Sequence, residues 1–176
     1  QRQMCIRDRV LKLHTKKSTH RDDGNAWRGE MLTALLGPQR VDAIVNAFST
    51  DPLVGLAAPE DHLLPVTEFI GGNADALDYL TVRTGSDAPD TNSLFASGSM
   101  FWARLEALRP LLDAHLHASE FESEQGQIDG TLAHAIERFV GLAVTHSGHR
   151  VTTVEQTLGI TKTPSAQPYR YARKAP

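Results

Sequence analysis

Apolar and polar residues alternate along Val10-Leu11-Lys12-Leu13-His14, the period of a short strand, and the run ends in a basic cluster, HTKKSTH, that predicts a polar loop. From Ala26 the period lengthens. Trp27, Met31, Leu32, Leu35 and Leu36 fall on one helical face, and Gly37-Pro38 supplies the stop. Val41, Ile44, Val45 and Phe48 keep the i, i+3, i+4, i+7 spacing of a second buried stripe until Ser49-Thr50-Asp51-Pro52 breaks it. Residues 53–59, LVGLAAP, are continuously apolar and closed by proline, which predicts a fully buried strand of a central sheet.

Further on, Gly71-Gly72 permits a close backbone approach, and Asn73 stands where it can cap a helix over ADALDYLTVRTG. LFASGSMFWARLEALRPLLDAHL joins a strand to a helix with the stripe Leu105, Leu108, Leu112, Leu116; Pro110 inside it means either a kink or a helix that begins near Arg109. Leu132, Ile136, Phe139, Val140, Ala143 and Val144 give a wide apolar face to a last helix, about Thr131 to Thr145. SGHRVTTV then predicts a turn and a strand, and the proline-rich stretch from Gly159 a poorly ordered tail. Helices interleaved with short apolar strands point to an α/β sheet domain, whose ligands gather beyond the carboxyl ends of the strands.

Composition narrows the class. The chain has 176 residues, 40% of them hydrophobic and 22% charged, with a net charge of −3, the balance of one globular domain. It has no apolar run of about 18 residues and no broad basic surface, so neither a membrane span nor a nucleic-acid partner is expected. The single cysteine, Cys5, excludes an internal disulfide and a cysteine-based zinc site, and no secretory signal is visible. Residues 1–9, QRQMCIRDR, have no strand or helix period, and MCIRDR resembles a translated sequencing adaptor. The expected organisation is therefore a non-native segment over 1–9, a domain over 10–158 that is the C-terminal part of a larger protein, and a tail over 159–176.

Two loops meet the strand-end condition. In HTKKSTH, Lys16 and Lys17 are cations, Ser18 a hydroxyl, and His14 and His20 further donors, suitable for holding a phosphate or diphosphate; the plain alternative is a solvated basic turn. In SGSMFW, Gly98 and Ser99 let a backbone pass close to a ligand while Met100, Phe101 and Trp102 offer an apolar face to a sugar or base; the alternative is strand core. Asp129 before Thr131-Leu132 is a good helix start. Capping alone does not explain why Glu122, Glu124, Gln125, Gln127 and Asp129 arrive together, since such acceptors are costly to desolvate unless hydroxyls, arginine or solvent meet them. A carboxylate there suits removal of a proton from a sugar hydroxyl. Glu137-Arg138 reads as an ordinary ion pair. No HExxH or similar spacing appears, and His115 and His117 do not share a helical face, which leaves a metal-dependent hydrolase as the weak alternative.

Taken in order, LKLHTKKSTH, WRGEMLTALLG, FASGSMFWARLEAL and FESEQGQIDGTLAHAIER closely resemble motifs of the rhamnan synthesis protein F family, glycosyltransferase-like proteins of bacterial surface-polysaccharide assembly, over about residues 10–150. One departure is Ala96-Ser97, where the family commonly has a proline before a small residue. A more distant similarity is to inverting transferases of the GT-A nucleotide-sugar fold, in which a glycine segment ending in arginine, an acidic pair at a helix start, a helical arginine and a glycine follow in order; here these are Gly98 to Arg104, Asp129, Arg138 and Gly148, with Ile128 in place of one acid. The resemblance implies an α/β fold, a partial GT-A-like sheet flanked by helices with its N-terminal half missing. It also implies a transferase that adds a sugar, with L-rhamnose from a dTDP donor as the candidate, to a rhamnan or lipopolysaccharide O-antigen type glycan.

On that resemblance Asp129 is the catalytic base. Substrate contacts fall to His14, Lys16, Lys17, Ser18, Trp27, Arg28, Gly98, Ser99, Met100, Trp102, Glu124, Gln127, His134 and Arg138. The implied partners are a nucleotide sugar and a glycan or lipid-linked glycan acceptor. The implied location is cytoplasmic, with peripheral association at the inner face of the plasma membrane. A divalent metal, Mg or Mn, belongs to many such folds, but no Asp-x-Asp stands at a strand end between residues 10 and 158 to hold one. The rival function is a non-catalytic carbohydrate-binding or scaffolding module. The expectation that joins these residues is spatial: Asp129, Lys16, Lys17 and Trp102 border a single cleft.

Overall fold

The computed structural model describes residues 8–14, 24–123, 125–127 and 129–160. Its strands are β1 (Arg9–Lys12), β2 (Val54–Ala58), β3 (Leu63–Pro65), β4 (Leu94–Ala96), β5 (Phe101–Arg104) and β6 (Arg150–Thr153). The helices are α1 (Gly24–Leu36), α2 (Arg40–Thr50), α3 (Ala74–Thr84), α4 (Arg109–Asp113), α5 (Leu132–His146) and α6 (Val154–Thr157). The main sheet has the order β1-β5-β2-β6; β5 runs antiparallel to β1 and β2, and β2 and β6 are parallel. β3 and β4 form a separate antiparallel pair. The fold is thus mixed α/β, a mixed sheet flanked by helices.

Both faces of the sheet are covered, which is why LVGLAAP shows no polar alternation. Met31, Leu35, Ile44 and Phe48 of α1 and α2 pack with Val54, Ala57 and Met100 on one side. Val140 and Val144 of α5 pack with Leu56, Ala58, Phe101 and Ala103 on the other. A register shift between Val54 and Leu56 turns Gly55 as well as Leu56 towards α5, where a Cβ on Gly55 would lie 2.7 Å from Val144. α5 also carries Leu132, Ala135, Phe139 and Leu142 into a further cluster with Leu77 and Leu80 of α3 and Phe95 of β4. Gly141 lets this happen: a Cβ there would stand 1.7 Å from the Leu94 carbonyl oxygen, so α5 and β4 meet backbone to backbone.

Two expectations need correction. The stripe Leu105, Leu108, Leu112, Leu116 does not form one helix, and of the two readings of Pro110 the structure has the helix that begins at Arg109. A 3-10 turn over Glu106–Leu108 precedes α4, which has Pro110 in its first turn, the place where a missing N–H costs nothing; Leu112 is exposed, and His115 ends the segment with φ +48°. Asn73 holds the N-cap position of α3 but makes no capping bond, because its amide is engaged elsewhere. β1 begins at Arg9, and the Asp8 carbonyl accepts a hydrogen bond from Leu105 N, so pairing starts at the border of the segment set aside as 1–9. Residues 161–176 lie outside the described residues.

Candidate functional site

Because β5 opposes its neighbours, the carboxyl ends of β1, β2 and β6 and the amino end of β5 share one edge of the sheet. α5 ends where β6 begins, beside the amino end of β2, since Arg150 N donates to Leu53 O at 2.8 Å. Its N-terminal turns therefore point to the same edge as those carboxyl ends, the position at which ligands of such sheets collect.

At the centre of this edge is the turn before β5. Gly98 (φ +82°) and Ser99 (φ +52°) are both left-handed, and a Cβ on Gly98 would lie 2.5 Å from the Trp27 ring, so only glycine fits beneath that indole. The Gly98 carbonyl is 2.7 Å from His14 Nε2, and its N–H donates to Glu137 Oε1 at 2.7 Å. Lys12 Nζ donates to Ser99 O at 3.0 Å and lies 5.8 Å from the Phe101 ring centre. Burial pulls the Lys12 ammonium below its usual pKa, with Glu137 opposing the shift. The Trp27 ring is 6.2 Å from the rings of both His14 and His62. Lys12, His62 and Glu137 were not among the sequence candidates. Lys12 reads as the polar half of a strand alternation, and Glu137 as half of an ion pair.

Asp129, which precedes α5, is built into a second cluster around Arg138, the residue after Glu137 on that helix. Its Oδ2 accepts from Gly72 N at 3.0 Å, and its Oδ1 accepts from Asn73 Nδ2 at 2.5 Å and lies 3.3 Å from Arg138. Asn73, fully buried, returns its own oxygen to Gly130 N at 3.1 Å. Arg138 in turn donates to Phe69 O and His134 O and covers the Phe95 ring. Burial pushes the Asp129 carboxyl up, but the Gly72 N–H, the Asn73 amide, the Arg138 guanidinium and the Gly130 N–H outweigh it and hold the group below the usual aspartate value. The close approach anticipated at Gly71-Gly72 is made by this carboxylate: a Cβ on Gly71 would lie 2.1 Å from Oδ2.

Asp129 is not the helix cap. Thr131 is the N-cap of α5, its hydroxyl accepting from His134 N, and both Glu122 oxygens accept from Leu132 N at 3.0 and 3.2 Å. His134 Nδ1 lies 2.7 Å from the Thr131 hydroxyl. Gln127 bonds within its own loop, to Ser123 O and Gln125 N. The dense acceptors of this stretch are thus met largely by backbone N–H groups and an arginine.

The geometry brings together His14, Trp27, Gly98 and Ser99, and links them through Glu137 and Arg138, 4.0 Å apart, to Asp129 and His134. Two expected contacts are corrected. Met100 is fully buried in the core against α1 and α2, and Trp102 packs on that same core with its indole N–H donating to Leu35 O. Strand alternation turns Trp102 away from α5, so Asp129 and Trp102 belong to opposite sides of the sheet. Arg28 is half-buried on α1, with its Nε receiving no partner among the described residues. Lys16, Lys17, Ser18 and Glu124 lie outside the described residues. Among the described residues no three His, Cys, Asp or Glu side chains converge to hold a metal, and no helix is long and apolar enough to cross a membrane.

The profile of the rhamnan synthesis protein F family matches residues 1–149. A protein of Xanthomonas campestris pv. campestris, described as "Uncharacterized protein WxcX", is 99% identical over 167 residues, which is 95% of this chain and 24% of that protein. The chain thus spans about a quarter of the length of this relative. No solved structure matches it.

Proposed function

The chain belongs to the rhamnan synthesis protein F family, and from that premise we propose that it supplies part of a sugar-transfer site used in making a bacterial surface polysaccharide, in a GT-A-like domain completed by sequence outside this chain. The donor is a nucleoside-diphosphate sugar, with dTDP-L-rhamnose the candidate that the family name favours. The acceptor is a glycan hydroxyl. In the transfer step Asp129 takes the hydroxyl proton as the oxygen attacks the anomeric carbon, and the carbon–oxygen bond to the diphosphate breaks. By the family resemblance the departing diphosphate falls to the ammonium groups of Lys16 and Lys17, and Lys12, which donates to Ser99 O, adds a cation at the Gly98–Ser99 turn.

The observation that carries this reading is the state of Asp129: a carboxylate held ionised and fixed in direction by Gly72, Asn73 and Arg138, with about a third of its side chain open to solvent. A base must be ionised before the reaction and held in place during it, and the bonds to this carboxylate favour both. The same bonds favour the rival, a glycan-binding module, because a carboxylate satisfied by several donors is a weaker base and a sound structural latch. Asp129→Asn in the full-length protein separates the two. It keeps one acceptor oxygen for Asn73 and Arg138 and should cut transfer by about 100-fold or more, with donor binding retained. Unchanged turnover in a folded Asp129→Asn variant would eliminate the base assignment and leave the binding module.

A further inference from the structure

β1 and β6 are the two outer strands of the main sheet, and they end it differently. β6 is finished: Thr152 and Thr153 are buried, and the Thr152 hydroxyl and Thr153 N–H both donate to Gln156 Oε1 of α6, at 2.9 and 3.4 Å. β1 is not. Asp8 O accepts from Leu105 N, so the alternation of an antiparallel ladder makes Val10–Ala103 and Lys12–Phe101 the hydrogen-bonded pairs with β5 and turns the N–H and C=O of Arg9 and Leu11 away from the sheet. Among the described residues no backbone group pairs with them. An open edge is commonly guarded by an outward lysine, a proline or a bulge. β1 has a regular register and no proline; Lys12 reaches to Ser99 O, and the Arg9 side chain, 8% exposed, lies 3.7 Å from Asp8. Its apolar side chains are half-covered on both faces, Val10 on the α5 side and Leu11 against α1 and α2, and Leu13 just beyond is 41% exposed. Both layers of the core therefore stop short at this strand.

We infer that the outer edge of β1 is a docking edge for one further strand, apolar on both faces, supplied by the part of the full-length protein outside this chain. The chain is 24% of the length of its 99% identical relative, so about three-quarters of that polypeptide is available in the same molecule. A segment tied to the same molecule meets the edge at an effective concentration that a second copy of the chain does not reach. The added strand lies about 4.8 Å outside β1, the ordinary spacing within a sheet. Whichever way it runs, one of its ends emerges beside the carboxyl end of β1, where Lys12 and His14 hold the Gly98–Ser99 turn. The outer polypeptide then walls the candidate site on that side. This inference rests on the reading that the domain is completed outside this chain, but it does not require Asp129 to be a base.

Two measurements on the full-length protein test it. In amide hydrogen exchange read to single residues by mass spectrometry, Val10 is the internal control, because its N–H faces β5. Leu11, whose N–H faces outward, should exchange within about tenfold of Val10 if a strand pairs there, and far faster if the edge is open. A photoreactive p-benzoylphenylalanine in place of the exposed Leu13 should then form a crosslink, within one molecule, to a peptide from outside residues 1–176. Exchange at Leu11 more than about tenfold faster than at Val10, or a crosslinker that reaches only residues 1–176, a second molecule or nothing, would overturn the docking edge. Neither readout needs turnover. Loss of transfer in Asp129→Asn, or its retention, therefore decides the base and leaves the edge to be judged by exchange and crosslinking alone.

Discussion

Replacing Gly71 with alanine should loosen Asp129 without touching it. Gly71 has φ +56°, and the added Cβ would lie 2.1 Å from Asp129 Oδ2. Two costs follow. A left-handed alanine costs about 1–2 kcal/mol. The carboxylate must then move, giving up the bonds from Gly72 N and Asn73 Nδ2; charge-assisted bonds are worth about 1.5–3 kcal/mol each when buried. Here the carboxylate is partly open to water, so about 1–2 kcal/mol in total is the reasonable share. The sum is about 2–4 kcal/mol, to be read from urea denaturation followed by circular dichroism. Gly85 is the matched control: its φ is +70° and a Cβ there meets nothing within 4 Å, so Gly85→Ala should show the backbone cost alone. The difference between the two variants isolates the carboxylate contact. Equal losses at 71 and 85, or an excess at 71 that persists after Asp129→Ala in a double-mutant cycle, would refute the claim that this turn is shaped around Asp129.

Acid should expose the same contact: the folded pKa of Asp129 lies below its ordinary value of 3.8, so its contribution is complete above that value and disappears as pH falls through the lower folded value. Asp129→Asn should therefore lose less stability than the wild type below about pH 4 in pH-dependent urea melts, and parallel curves would contradict this. Gly141→Ala puts a methyl group 1.7 Å from Leu94 O and should cost more than about 3 kcal/mol, towards the exceptional end for single substitutions, or prevent folding; a thermal midpoint near the wild type would refute the backbone contact. Glu122→Ala should cost about 1 kcal/mol and speed amide exchange in the first turn of α5, an effect Asp129→Ala should not reproduce.

Much of the architecture was legible because it depends on local period. The apolar run of β2, the stripes of α1 and α2, the face of α5 and the turn-strand at its end all appear where the spacing puts them. What failed depends on distant residues. Asp129 and Thr131 both suit an N-cap, and nothing local chooses between them. The choice is made by Gly72 and Asn73, 57 and 56 positions earlier, which take up the Asp129 carboxylate and leave the cap to Thr131. Strand period likewise tells which residues share a face but not which helices cover it. With both faces covered, Met100 and Trp102 carry no local sign that they belong to the α1 and α2 side. Glu137 looked like surface because its partner, Gly98 N, is 39 residues away.

One turn of α5 fixes both halves of the edge. Glu137 and Arg138 are consecutive, so their side chains leave the helix about 100° apart. Glu137 holds the Gly98 turn under Trp27, while Arg138 holds Asp129 and the Phe69 carbonyl. One helical turn further on, Gly141 presses against Leu94, which sets the height of α5 on β4 through backbone atoms that have no freedom to adjust. A site carried by a packed helix keeps its geometry better than one carried by loops, and here the loops are tied to the helix and not the reverse. Disturbing α5 at Gly141 therefore moves the Gly98 turn and Asp129 together, whereas disturbing Gly71 moves Asp129 alone. If sugar transfer needs both clusters in register, the second change should lower turnover while the contact between Gly98 and Trp27 stays intact, a separation that a role confined to the Gly98 turn would not produce.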